Sequence, residues 1–313
     1  NKVLKHREVP TVSINSAAAI EPIREIVRKI INFSGNTEDT IGKGSRIQVL
    51  QTIGTGEESS EEWVEVEHSN RVTARWVFLR ELQKLHPKAA RLCDIEHQKF
   101  DALIEYHSAA ADHIREQALK VVEAYIEHSV IVQNSLDHPY VVEDMAFDDS
   151  KLVKFTNALH EGYSDLNSLE RDIAEAIDKT KRVWCRNPSA GGFGIPLLDR
   201  GSTKTFHPDF LVWTEKHIVA LETKGDHLIV EDATRKLFHI EQIENGPELI
   251  IRIITEGKWD VGRGGQFIKE SPDGWTVWTI KQGKFHPSHM QNATAAVQAC
   301  LNLGAQITSS KSS

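Results

Sequence analysis

The sequence predicts an α/β protein with an αβββαβ core, a mixed central sheet flanked by helices, preceded by a separate helix-rich α/β domain. Three stretches of the second half lead there. Residues 169–179 (LERDIAEAIDK) place apolar side chains at helical spacing behind Asn167-Ser168, a capping pair. Residues 205–226 (TFHPDFLVWTEKHIVALETKGD) hold two apolar runs around a polar loop, the pattern of a β-hairpin. Residues 248–255 (ELIIRIIT) form a continuous β-branched run, as a strand covered on both faces reads.

In chain order, residues 22–33 (PIREIVRKIINF) carry a helical apolar stripe opened by Pro22 and stopped by Gly35. SRIQVLQTIG (45–54) and EEWVEVEH (61–68) read as strands, the second through its alternation at 63–67. VTARWVFLRELQKL (72–85) is a helix ending near His86-Pro87, and a long helical tract covers 94–128 with a break near 108–112. Turn formers crowd residues 133–164 and set a boundary near residue 150. The expected division is an adapter or linker domain over 1–150 and the core domain over 151–313.

In the second domain, RVWCRN (182–187) is a short strand ended by Pro188 and the glycines at 191, 192 and 194. The hairpin follows, then a helix over EDATRKLFHIEQI (231–243) and the strand ELIIRIIT. A β-ribbon (274–286, GWTVWTIKQGKFH) and a helix over 290–303 complete the order.

Of the 313 residues, 40% are hydrophobic and 26% charged, the balance of a water-soluble globular chain with room for two cores. No apolar run nears the length of a membrane span, and no signal-peptide pattern opens the chain. Cys93, Cys185 and Cys300 are scattered and lack CxxC spacing, so they read as free thiols of a reducing compartment, with the cytoplasm as the expected location. The chain opens at Asn1 and not at Met, as a fragment or a trimmed chain would. The net charge of -8 argues against a general nucleic-acid coat. All of it falls in residues 1–150, whereas 151–313 are balanced, and Lys179, Lys181, Arg182 and Arg186 cluster there. DNA contact is therefore expected in the second half.

The hairpin poses the chemical question, because Asp209, Glu222 and Lys224 interrupt strands that otherwise look buried, and an unpaired buried charge is costly. With residues 214–217 as the loop, Trp213 faces Ile218, Leu211 faces Ala220 and Asp209 faces Glu222. Directly opposite residues share a face, with Cβ atoms about 4.5–5.5 Å apart. Lys224 joins them by strand alternation. Two carboxylates that close repel unless a cation lies between them. Mg²⁺ suits the position, since it binds one or two carboxylates together with substrate phosphate, and Mn²⁺ is expected to substitute. Lys224 beside the metal would orient or help deprotonate an attacking water. A bare acid-x-Lys triplet carries little weight, because Asp149-Ser150-Lys151 and Glu256-Gly257-Lys258 occur too. Only the triplet at 222–224 faces a Pro-Asp. The plainer alternative is a cross-strand salt bridge at a sheet edge.

HPD at 207–209 with LETK at 221–224 resembles the PD-(D/E)xK nuclease superfamily, and the resemblance implies a restriction-endonuclease-like fold. More narrowly, LNSLERDIAEAID, WCRNP, FHPDFLVW and ALETKGD are similar to the C-terminal endonuclease region of type III restriction enzymes (the Res subunit) and related helicase–nucleases. That similarity covers about residues 155–256, with a looser likeness in SNRVTARWVFLREL. It implies a Mg²⁺-dependent endodeoxyribonuclease of phage defence, with Asp209 and Glu222 as metal ligands, Lys224 assisting the nucleophile and the Thr223 carbonyl as a further ligand. It also implies a possible extra acid from the first core helix, best matched by Glu170. Arg186, Asn187 and Lys236 become candidates for phosphate contact. The implied partners are DNA, an upstream helicase or translocase portion of the same parent protein, and a methyltransferase subunit; no membrane is expected.

No Walker A or DEAD-type box is present, so no motor activity is expected of these residues. GTGEES and IGKGS are turn chemistry, since six residues and not four separate Gly35 from Gly42-Lys43. HExxH and GxSxG are absent. Three readings stand: an active DNA endonuclease module, a catalytically silent nuclease-like domain for DNA binding or assembly, and an unrelated interaction domain with a salt-bridged hairpin.

Overall fold

The computed structural model describes residues 4–34, 46–51, 60–65, 71–93, 95, 98–146, 148–198, 205–225, 240–242, 246–263, 265–281 and 284–302. The chain packs as two units, one of residues 16–129 with 198–203, the other of 1–15, 130–197 and 204–313. Backbone pairing explains why the first residues join the later unit. Val12–Asn15 runs antiparallel to Val130–Gln133, which pairs in parallel with Ile240–Gln242. The packing division thus lies at residues 15/16 and 129/130, and the expected boundary near residue 150 falls inside the second unit.

In the unit of residues 16–129, the helix Ala109–His128 packs against the helices Ile20–Ser34 and Ala74–Leu85. Ile23, Ile30, Phe78, Leu82, Ile114 and Val121 are buried in this unit. The last helix starts later than its periodicity suggests. Ser108 caps it by accepting from the Ala111 amide at 3.2 Å, and upstream lie a 3₁₀ turn (Gln98–Asp101) and a strand (Leu103–Glu105). Cap chemistry overrides apolar spacing there. Arg46–Gln51 and Ser60–Glu65 are strands, as expected, and they pair antiparallel.

The second unit is a mixed α/β layer structure. Its main sheet and the helices on it are α1 (Ser168–Lys179), β1 (Val183–Arg186), β2 (Phe210–Trp213), β3 (His217–Lys224), β4 (Glu248–Val261), β5 (Phe267–Lys281), β6 (Lys284–Met290) and α2 (Ala293–Leu301). The six strands form one sheet in sequence order. Every neighbouring pair is antiparallel except β3 and β4, which are parallel.

Both helices cover one face. Ile173, Ala174 and Ile177 of α1 and Val297 and Cys300 of α2 pack with Trp184, Phe210, Val212, Leu221 and Ile254. The alternate residues Leu211, Ile218, Ala220, Ile251 and Ile253 are buried as well. Cover on both faces is why β3 reads as a nearly unbroken apolar run.

Two elements differ from expectation. Ile240–Gln242, read from sequence as the end of a helix, is a strand, because its backbone completes the ladder beside Val130–Gln133. The rest of that expected helix, with Lys236, lies outside the described residues. β4 runs six residues past ELIIRIIT through a register shift at Gly257, whose φ of +88° suits glycine. The triplet Glu256-Gly257-Lys258 is therefore a bulge.

Candidate active site

The site grows from the hairpin register. Trp213 pairs with Ile218, Val212 with Val219, Leu211 with Ala220 and Phe210 with Leu221. Thr214 sets this register at the loop: its amide donates to the His217 carbonyl at 2.8 Å, and its hydroxyl bonds both backbone groups of His217 at 3.0 Å. Asp209 and Glu222 are the next residues of the two strands after the last pair, Phe210 with Leu221. The Asn187 amide donates to the Asp209 carbonyl at 2.8 Å and carries the β1–β2 ladder to this position.

Asp209 is half-buried, and its carboxylate is held from one side only. Its Oδ2 accepts from the Thr223 amide and the Thr223 hydroxyl, each at 2.7 Å. Its Oδ1 has no hydrogen-bond partner among the described residues. The Thr223 amide and hydroxyl, and not its carbonyl, thus meet Asp209.

Glu222 is 3% exposed and pairs with the β4 residue Ile253. Its Oε1 lies 2.7 Å from the Lys224 ammonium. Burial strips a carboxylate of hydration, and the ammonium offsets part of that cost.

The other sequence candidates gather elsewhere. Glu170 is buried and completes the capping box of α1: its amide donates to Asn167 Oδ1, and its Oε2 accepts from the Asn167 amide. The same oxygen lies 3.5 Å from Arg186, which also binds Asp165 at 2.7 Å. By alternation Arg186 belongs with Phe210 and Leu221 on the helix-covered face, and Glu222 and Lys224 belong on the opposite face. Glu170 is brought to Arg186, and the Arg186 guanidinium is held by two carboxylates.

Asn187 is a loop lock. Its side-chain amide donates to the Phe193 and Pro208 carbonyls at 2.9 Å, and its Oδ1 accepts from the Phe193 amide at 2.7 Å. The loop approaches it closely: a Cβ on Gly192 would stand 2.6 Å from Asn187 Oδ1 and 2.2 Å from the Pro188 carbonyl oxygen. Through Pro208 this lock fixes the backbone that presents Asp209. Sequence reading missed the lock and the Thr223 clasp. The signal available for the first was an Asn before Pro188 and three closely spaced glycines.

Among the described residues, no three His, Cys, Asp or Glu side chains are grouped so as to hold a metal ion. The donor set expected from sequence is smaller, two carboxylates and a carbonyl. Asp209 fits such a role on one count, with Oδ2 clasped by Thr223 and Oδ1 without a hydrogen-bond partner among the described residues. All three cysteines are free thiols. Burial pushes Cys93 and Cys300 up to about 12 and Cys185 higher still, so none is a ready nucleophile. Among the described residues no helix is long and apolar enough to cross a membrane.

A model of the YagJ family matches residues 154–246. No curated protein and no solved structure matches the chain. The matched stretch takes in α1, β1, β2 and β3, with Asp209, Glu222 and Lys224 inside it, and ends just before β4.

Proposed function

We propose that the second unit hydrolyses phosphodiester bonds of DNA in a Mg²⁺-dependent reaction, as an endonuclease module of a larger helicase-linked defence protein. The observation that carries this reading is the hairpin, whose last pair is Phe210 with Leu221, so that Asp209 and Glu222 come next on the two strands, with the Lys224 ammonium 2.7 Å from Glu222. Strand polarity agrees, with three antiparallel strands after α1 and a fourth parallel to the third.

In this reading Asp209 and Glu222 hold the ion. Thr223 fixes Oδ2 of Asp209, so that Oδ1 is the oxygen left to bind. Mg²⁺, or Mn²⁺ in its place, would supply Lewis acidity and an acidified water when bound. Lys224 keeps a positive charge beside Glu222 and donates hydrogen bonds to the attacking water or a phosphate oxygen. The parent's motor portion and a methyltransferase subunit are the proposed protein partners.

The ion pair itself favours a second reading, a catalytically silent domain. Glu222 and Lys224 satisfy one another, as structural charges do.

One experiment separates the two. Plasmid DNA is incubated with the protein in Mg²⁺ or EDTA, beside Asp209→Asn, Lys224→Met and the bulge control Glu256→Ala. Cleavage that needs Mg²⁺, survives Glu256→Ala and falls a hundredfold or more in the other two supports the nuclease. Equal cutting by all four proteins, or DNA binding without cutting by the parent, refutes it.

A further inference from the structure

A cleft of about 760 Å³ opens at the loop end of the β2–β3 hairpin, the end away from Glu222 and Lys224. Four cations line it, each from an exposed position: Arg7 of the N-terminal segment, Lys181 and Arg182 of the α1–β1 turn, and Lys216 of the hairpin loop. Trp213 and Pro247 supply apolar wall. Glu215 is the one carboxylate in the lining, 3.6 Å from Arg182. Lys181 and Lys216 form no ion pair among the described residues.

Lys181 adds an independent observation. Its φ of +59° makes it the one non-glycine residue with positive φ among the described residues. It follows the C-cap Thr180 of α1, where a left-handed residue is ordinarily glycine because a Cβ is strained there. A lysine stands where the backbone would prefer glycine.

The geometry points to a binding site for nucleic-acid backbone phosphates in this cleft. Four exposed cations from three chain segments form an electrostatic footprint suited to a charged polymer. A pocket for a free phosphate would instead bury its donors around one point. The choice of duplex DNA as occupant rests on the phosphodiesterase reading. From His217 to Lys224, β3 rises roughly 23 Å at about 3.3 Å per residue. The cleft would grip a duplex about seven base pairs from the scissile bond, at about 3.4 Å per pair.

Binding of a short fluorescent duplex, measured by anisotropy in EDTA across a salt series, tests this without any hydrolysis. The double variant Lys181→Gly/Lys216→Ala should bind about tenfold more weakly. Its slope of log affinity against log salt should fall by about two, near 0.9 for each lost contact. Lys29→Ala, an exposed charge of the other unit, should leave both unchanged. Because glycine relieves the backbone at 181, the double variant should melt no lower than the parent, which excludes misfolding as the cause. Parent-like affinity and slope in the double variant would overturn the proposal. So would displacement of the duplex by inorganic phosphate or a mononucleotide at equal phosphate concentration, which marks a small-anion pocket. Adding Mg²⁺ keeps the two readings apart: a parent that binds through these lysines but never cuts sinks the nuclease alone, and one that cuts equally well with or without them sinks the cleft alone.

Discussion

Thr223 holds Asp209 by two hydrogen bonds of 2.7 Å, one from its amide and one from its hydroxyl, both to the same carboxylate oxygen. The hydroxyl bond can be removed alone. Thr223→Val keeps the shape and the amide, and the lost charge-assisted bond should cost about 1.5–3 kcal/mol. Urea unfolding of the parent and the variant reads this directly. If stability is unchanged, the clasp contributes nothing.

Lys224→Met removes the ammonium that lies 2.7 Å from the buried Glu222 carboxylate. Breaking a buried pair from one side destabilises by about 3–5 kcal/mol, whereas replacing both partners by neutral groups is often close to neutral. Glu222→Gln/Lys224→Met should therefore be more stable than Lys224→Met alone. On the proposed function, Mg²⁺ should raise the melting temperature of Lys224→Met, since a cation can replace the ammonium, and should leave the double variant where it is. Calorimetry with and without Mg²⁺ checks both statements.

Asp178, near the end of α1, accepts from the Thr156 amide at 3.1 Å, the Asn157 amide at 2.7 Å and the Trp184 indole at 3.0 Å. It ties an upstream segment and β1 to one carboxylate. Asp178→Asn would turn an NH₂ group toward N–H donors, so it should cost about 1.5–3 kcal/mol, as losses of hydrogen bonds to a charged group do. A denaturation midpoint equal to the parent's would contradict this.

His160 is fully buried, with Nδ1 against the Tyr163 hydroxyl and Nε2 against the Glu143 carbonyl. Burial pushes its pKa below the ordinary 6.5, outweighing the opposite pull of the Glu143 carbonyl and Asp144. The unfolded chain then takes up a proton that the folded chain refuses. This contribution is fully present above about pH 6.5 and is lost as pH falls from there toward the folded pKa, at up to about 1.4 kcal/mol per pH unit. Stability measured from pH 8 to 5 should fall less steeply in His160→Gln than in the parent. Parallel curves would remove His160 as the cause.

The parts legible in sequence were those whose chemistry is local. Asn167 and Glu170 announce the start of α1, and Thr214 with three polar neighbours closes the hairpin so tightly that strand alternation gives its register. Distant partners left no local mark. Nothing in VSIN at 12–15 tells that its ladder lies at 130–133, nor that IEQ at 240–242 will join it and abandon its helical spacing. The roles of polar residues were harder still. Arg186 and Asn187 look free to meet phosphate in a sequence, yet one is held by Asp165 and Glu170 and the other locks a loop. A side chain's availability depends on partners that folding brings from elsewhere.

The pairing of Val12–Asn15 with Val130–Gln133 also sets a timetable. Ser13 reaches Asn134 across 121 positions, so during synthesis the early strand waits while the whole unit of residues 16–129 leaves the ribosome. Domains generally fold as units, so that inserted unit can close first and bring the two ends of its own segment together. The ladder then awaits Ile240–Gln242, which emerges more than a hundred residues later again. A fragment begun at residue 151 would never meet either earlier strand. A chain rejoined end to end and reopened within the inserted unit would keep all three.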